Sequence, residues 1–221
     1  MSFSICVYLF LKFAGFLGII GSILGLVAVF LATVLCGVGC SDTLEGQFAA
    51  SWRADGSFSW EINALSDLGV SEVADIFNYS LILVGILNFV FAVGFMKAYA
   101  GTRASFFSVL LLIIGGVCLS FIGVFTEAYG VLHFVVSSGF FIFFPISIIL
   151  IGITFVSSSN NGMGYFSVLV GALALITISS YFTGIFRTLG YGFSVPEYIS
   201  AAIISTWVIY MGINLIHYKP K

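Results

Sequence analysis

Residues 13–36 read FAGFLGIIGSILGLVAVFLATVLC, an uninterrupted run with no charged side chain. Wound as a helix at about 1.5 Å per residue, the run is about 36 Å long. That is enough to cross the ~30 Å hydrocarbon core of a bilayer. Its apolar residues do not alternate with polar ones, so it does not read as a strand of a membrane barrel. A helix satisfies its own backbone hydrogen bonds, which lipid requires.

Five further runs of this kind follow, at about 73–95, 104–125, 131–156, 165–186 and 196–217, with charges only at their rims. Over the whole chain 61% of residues are hydrophobic and 7% charged, and the mean hydropathy is +1.20. Soluble domains average about 25% charged residues. The expectation is therefore an all-α polytopic membrane protein, a single six-transmembrane-helix domain over residues 1–221, with an outer loop at 37–72. The first run does not read as a signal peptide. No charge precedes Lys12, and the apolar stretch exceeds the 7 to 15 residues of such a segment. CGVGC before Ser41 resembles a lipoprotein cleavage site, but Gly37 stands where a branched aliphatic residue is expected.

Charges orient the bundle. Lys12, Lys97, Arg103, Lys219 and Lys221 fall on one side of the six spans, Arg53 and Arg187 on the other. Cytoplasmic loops are enriched in Lys and Arg, so both termini are expected in the cytoplasm. All nine acids then lie outside or at the outer rim, leaving about seven net negative charges there. A solvated rim explains them, since acids are costly at membrane depth; recruitment of cations or a basic partner is the functional alternative.

The outer loop has strand-like patterning. Phe48, Ala50 and Trp52 alternate, as do Phe58, Trp60 and Ile62, around Asp55-Gly56. This predicts a short β-hairpin over the mouth of the bundle. Beyond it, Ser71 is expected to cap the second helix, with Glu72 and Asp75 at its N-terminus. Ser194, Pro196 and Glu197 predict a capping box on the sixth. Cys36 and Cys40 could be bridged only if the helix unwinds between them, and the sequence leaves both states open. Cys6 and Cys118 read as small apolar residues.

Several chemistries find no support. There is no phosphate-binding loop, nucleophile elbow, zinc-protease motif, dinucleotide fingerprint or zinc-type cysteine spacing. No basic patch suggests nucleic acid. The spans carry no ionisable residue at depth of the kind that ion-coupled transporters use, and His133 and His217 lie at opposite ends, too far apart to share a haem iron. No cofactor is expected. Ala14, Gly18, Gly21 and Gly25 on the first helix, and Gly115, Gly116 and Gly123 on the third, predict close helix packing. Pro145 is expected to kink the fourth helix.

NALSDLG (63–69), IFNYSLILVGIL (76–87) and GVFTEAYGVLHFVVSSGFFIFFPISI (123–148) resemble, in order and spacing, the prokaryotic membrane-protein family known as domain of unknown function 998. The resemblance extends from the first helix to the last. It implies a six-helix membrane fold and a recurrent polar set that corresponds here to Asn63, Ser66, Asp67, Gly69, Asn78, Glu127, His133 and Ser137. Thr126 stands where the family often has Pro. The family's layout is similar to that of a wider eukaryotic six-helix group that includes proteins of GPI-lipid remodelling and autophagy-linked membrane proteins.

Two roles follow. The first is a non-catalytic accessory subunit of a larger membrane complex, for which size and a Gly-rich bundle are suited. The second is binding or modification of a lipid headgroup by the outer polar cluster, with membrane lipids as partners. Small-molecule transport is a third, weaker reading. His133 and Ser137, four residues apart, share one helix face, so a histidine, a hydroxyl and nearby carboxylates could be assembled. A polar cluster that ties the outer loop to the bundle is the purely structural alternative.

Overall fold

The computed structural model describes residues 3–37, 40, 57–158 and 160–219. Helix α1 (Phe3–Cys36) is followed by a 3-10 helix (Leu65–Val70), α2 (Ala74–Tyr99), α3 (Arg103–Val124) and a second 3-10 turn (Glu127–Tyr129). Then come α4 (Val131–Ser157), α5 (Asn161–Ser180), the one-turn α6 (Ile185–Thr188) and α7 (Ser194–His217). Six of these, all but α6, are long and apolar enough to cross a membrane. The chain therefore reads as a multi-pass membrane protein.

The six long helices run up and down and close into a ring: α1 packs on α2, α2 on α3, α3 on α4, α4 on α5, α5 on α7, and α7 on α1. Helices in lipid gain little from burying apolar surface against each other, so contact rests on close van der Waals packing. The predicted small-residue ridge supplies it. A Cβ at Gly18 would lie 2.6 Å from the Phe91 ring, one at Gly21 3.1 Å from Leu87, and one at Gly25 3.2 Å from Val84. Gly15 and Gly212 meet backbone to backbone, each Cβ position within 2.7 Å of the other's carbonyl oxygen. The ridge thus serves packing inside one chain.

The two ends of the ring differ. One, the terminus end, holds the start of α1 and the end of α7. It is filled by rings: Phe91, Phe95 and Trp207 are fully buried and lie 5.7–6.3 Å apart between centroids. Trp207 Nε1 donates to Ser167 Oγ at 2.9 Å, which satisfies the indole at depth. The other, the loop end, is covered by residues 57–73.

Here the structure corrects the sequence reading. Phe58, Trp60 and Ile62 are not a strand: Ile62 N and Asn63 N both donate to Ser59 O, closing a turn, and no strand occurs among the described residues. The other proposed arm, with Phe48, Ala50, Trp52 and Asp55-Gly56, lies outside the described residues. The reason is that this segment's backbone has other partners. Trp60 O accepts from Gly192 N at 2.8 Å, Asn63 O from Ser194 N at 3.0 Å, and Cys36 O from Phe58 N at 3.1 Å. The indole of Trp60 stands edge-on to Tyr198, 5.7 Å away, so the segment covers the bundle as expected but as a stapled turn.

Both predicted caps also differ. Helix α2 begins at Ala74 without a side-chain cap; Ser71 Oγ donates to Leu68 O in the 3-10 helix and accepts from Val73 N, one residue short of α2. Helix α7 begins at Ser194, and Glu197 does not turn back on its own helix. Its carboxylate accepts from Leu65 N at 2.7 Å, so it caps the 3-10 helix of the loop. Lys12 lies within α1, its Nζ 4.5 Å from the Tyr8 ring centre, because the helix starts well before the apolar run does. Helix α4 continues as α-helix through Pro145. Cys36 and Cys40 are bridged, with Cα atoms 4.7 Å apart; α1 ends at Cys36, which gives the chain the freedom that bridging needs.

Candidate functional site

The 3-10 helix Leu65–Val70 sits at the centre of the loop end, and every residue in it is buried. A helix this short leaves its first N–H groups unpaired, and three side chains receive them or their neighbours. Asp67 Oδ2 accepts from Ala64 N at 3.1 Å and from Asn63 Nδ2 at 2.6 Å. Asn63 Oδ1 accepts from Ser59 N at 2.9 Å. Glu197 takes Leu65 N.

Ser66 Oγ then donates to Glu127 Oε1 at 2.5 Å, joining this helix to the turn between α3 and α4. Asp67 faces Glu127 closely enough to share a hydrogen bond with it. Burial and the neighbouring Glu127 raise the Asp67 carboxyl to about 7, against the pull of the Asn63 and Ala64 hydrogen bonds. A second carboxyl group so close makes ionisation of Asp67 costly, which adds to the effect of its burial.

His133 reaches this cluster through a reversal of the chain. Gly130 has φ +52°, a conformation open to glycine, and lets residues 125–133 fold back. His133 Nδ1 then lies 2.7 Å from Phe125 O. A carbonyl only accepts, so Nδ1 carries the proton and Nε2 is left as an acceptor. The Asp67 charge acts on this ring, but no hydrogen bond joins them. Ser137 Oγ donates to the backbone oxygen of His133 at 2.8 Å and not to its ring. Asn78 is apart from the cluster: its Nδ2 donates to Gly69 O at 2.8 Å, tying the end of the 3-10 helix to α2. The structure thus brings Asn63, Ser66, Asp67 and Glu127 into one network. His133 stands beside it, while Ser137 and Asn78 are bonded elsewhere.

Below the network lies a cavity of about 90 Å³ inside the ring, walled by α1, α2, α3, α4 and α7. Ser66, His133 and Glu197 line its loop end; Leu81, Ile122 and Phe140 are among its apolar walls, and Ser22, Asn88, Ser137 and Ser205 also line it. A second cavity, of about 170 Å³, lies between α4, α5 and α7 and includes the exposed rings of Phe134 and Phe182. The two share Ser137, Phe141 and Glu197 as a common wall. Sequence reading missed the role of Glu197, which it placed at the rim as a cap. Glu197, Tyr198, Ala201, Ile204, Ser205 and Val208 recur at helical spacing along one face of α7, and that face lines the cavity. It also passed over Asn88, an amide within an apolar helix, whose side chain lines the deep end.

Among comparisons with known proteins, one family matches: residues 46–214 fit the family described as protein of unknown function, DUF998. The chain belongs to the DUF998 family. The match holds every residue of the polar network and all or most of five of the six long helices; α1 lies outside the matched residues. In this DUF998 chain the blocks NALSDLG and GVFTEAYGVLH are the two segments that meet at Ser66 and Glu127. No curated protein and no solved structure matches the chain.

Proposed function

We propose that this protein binds a membrane amphiphile, with the polar end at the mouth formed by Ser66, His133 and Glu197 and the tail in the cavity below. One observation carries the reading: a cavity with largely apolar walls holds Ser66, His133 and Glu197 at its loop end, beside a second cavity that borders the exposed flank of α4 and α5. That division of polar and apolar lining is typical of small-molecule sites and suits a lipid headgroup with its chain.

Binding needs no chemistry at this end, whereas acyl transfer needs a serine with a base within hydrogen-bond reach. The Ser137 hydroxyl is committed to a backbone carbonyl, while Ser66, which donates to Glu127, meets that condition. The accessory-subunit role draws on no comparable arrangement, since the exposed apolar residues are spread over all six long helices as lipid contact alone requires. The charge asymmetry supports termini in the cytoplasm and the mouth on the outer face of the cell membrane.

The reading is tested by delipidating the protein, reconstituting it in nanodiscs and counting retained lipids by native mass spectrometry. Wild-type protein is expected to retain a bound lipid. His133→Ala, which alters the mouth, and Ala201→Phe, which fills the cavity, are expected to lose it while remaining monodisperse. Equal retention by all three proteins would overturn the proposal.

A further inference from the structure

The deep end of the cavity is built differently from its walls. On α2 the lining runs from Phe77 to Asn88 and on α7 from Glu197 to Val208. Both stretches correspond to a depth of about 16 Å. A volume of about 90 Å³ over such a depth leaves the width of a single hydrocarbon chain. Phe91, three residues beyond Asn88, and Trp207, next to Val208, are both fully buried. A tail entering from the mouth therefore ends at Asn88.

Asn88 is 6% exposed, and its Oδ1 is buried without a hydrogen-bond partner. A carboxamide in a membrane helix ordinarily bonds across to a neighbouring helix, because an unsatisfied polar group in hydrocarbon is costly. No neighbouring helix supplies that bond here. Ser22 of α1 is 3% exposed and lines the same cavity. Gly21 lies on Leu87 and Gly25 on Val84, so Ser22 stands level with Asn88. Two polar side chains thus stand at one level at the deep end of a mostly apolar channel.

We propose that this end is a second polar anchor, and that the occupant is a single-chain amphiphile bearing a hydroxyl near the far end of its tail. The inference rests on the amphiphile-binding reading and adds to it the class of ligand. A hydroxyl both donates and accepts, so it satisfies the carboxamide oxygen of Asn88 and pairs with Ser22. The mouth takes the first polar group. A plain alkyl tail leaves the carboxamide as it is now, buried and unpaired.

The test uses the full-length protein in nanodiscs of dioleoyl phosphatidylcholine, with radiolabelled dodecanediol as the tracer and unlabelled dodecanol and dodecanediol as competitors. Dodecanediol is expected to displace the tracer at roughly tenfold lower concentration than dodecanol, the equivalent of one buried hydrogen bond. The near-isosteric variant Asn88→Leu is expected to bring the two competitors to within about twofold of each other, and Ser22→Ala to narrow the gap in part. Equal displacement by both competitors on the wild-type protein would overturn the second anchor, leaving Asn88 as the site of an ordered water, while amphiphile binding itself stood. A tracer with no saturable binding would overturn both readings.

Discussion

Asp67 keeps its proton to about pH 7 because it is buried against Glu127. In the unfolded chain an aspartate releases its proton near pH 3.8. Between these values the folded state holds a proton that the unfolded state has lost, so stability falls as pH rises. The contribution is complete below about 3.8 and is lost as pH rises through about 7. Thermal unfolding in nanodiscs is expected at a higher temperature at pH 5 than at pH 8. In Asp67→Asn, an amide accepts from Asn63 and Ala64 and donates to Glu127 without titrating. That variant is expected to lose part of the difference, since the buried Glu197 carboxyl stands at the same end, and retaining all of it would show that Asp67 is not the group that titrates. Asn88 argues the opposite way on stability. Without ligand its carboxamide oxygen has no partner, so Asn88→Leu is expected to raise the unfolding temperature, by the equivalent of about 1 kcal/mol. A residue that costs stability where it packs, and faces a cavity, fits a binding role.

Contacts between elements depend on a few small residues. The meeting of α1 and α7 at Gly15 and Gly212 leaves no room for a side chain, because what a Cβ would meet is backbone and cannot rotate away. Gly15→Ala is therefore expected to push the helices apart and to cost about 1–3 kcal/mol, measured as a lower unfolding temperature and earlier aggregation in detergent. Gly101→Ala, which meets nothing within 4 Å, is the control. At the end of α1 the Cys36–Cys40 bridge and the Cys36 carbonyl, which accepts from Phe58 N, hold the loop segment against the bundle. Mass tagging of thiols in denaturant is expected to label Cys6 and Cys118 alone before reduction, and all four cysteines after it. Four tags without reductant would refute the bridge.

The ring as a whole is sealed by aromatic side chains at its terminus end and capped by residues 57–73 at its loop end. The flank between α4, α5 and α7 is where a second cavity adjoins the interior one. If the positive-inside rule holds, single-cysteine variants on a background without native thiols report it. Glu61→Cys is expected to react with a membrane-impermeant maleimide in intact cells, and Lys219→Cys only after lysis. The reverse pattern would move the cavity's mouth to the cytoplasm. Lys97 Nζ lies 4.8 Å from the Phe10 ring centre, which sets these two charged or aromatic groups at the same end as Lys12.

Sequence determined the six long helices, because lipid demands that each span satisfy its own backbone and be apolar over its length. It also determined the small-residue face of α1 and the segments around Asp67 and Glu127, which differ from their surroundings in polarity. What sequence did not carry was the partner of each polar group. The alternation at Phe58, Trp60 and Ile62 read as a strand, yet those backbone groups bond to α1 and to the connector before α7. Glu197 read as a cap on its own helix, yet it caps the loop across 132 positions of chain. Asn88 read as one more residue in an apolar helix until the closed ring left it facing a cavity. Local pattern fixes which residues tolerate lipid, whereas only the closing of the ring decides which of them meet, because those hydrogen bonds join residues far apart in the chain.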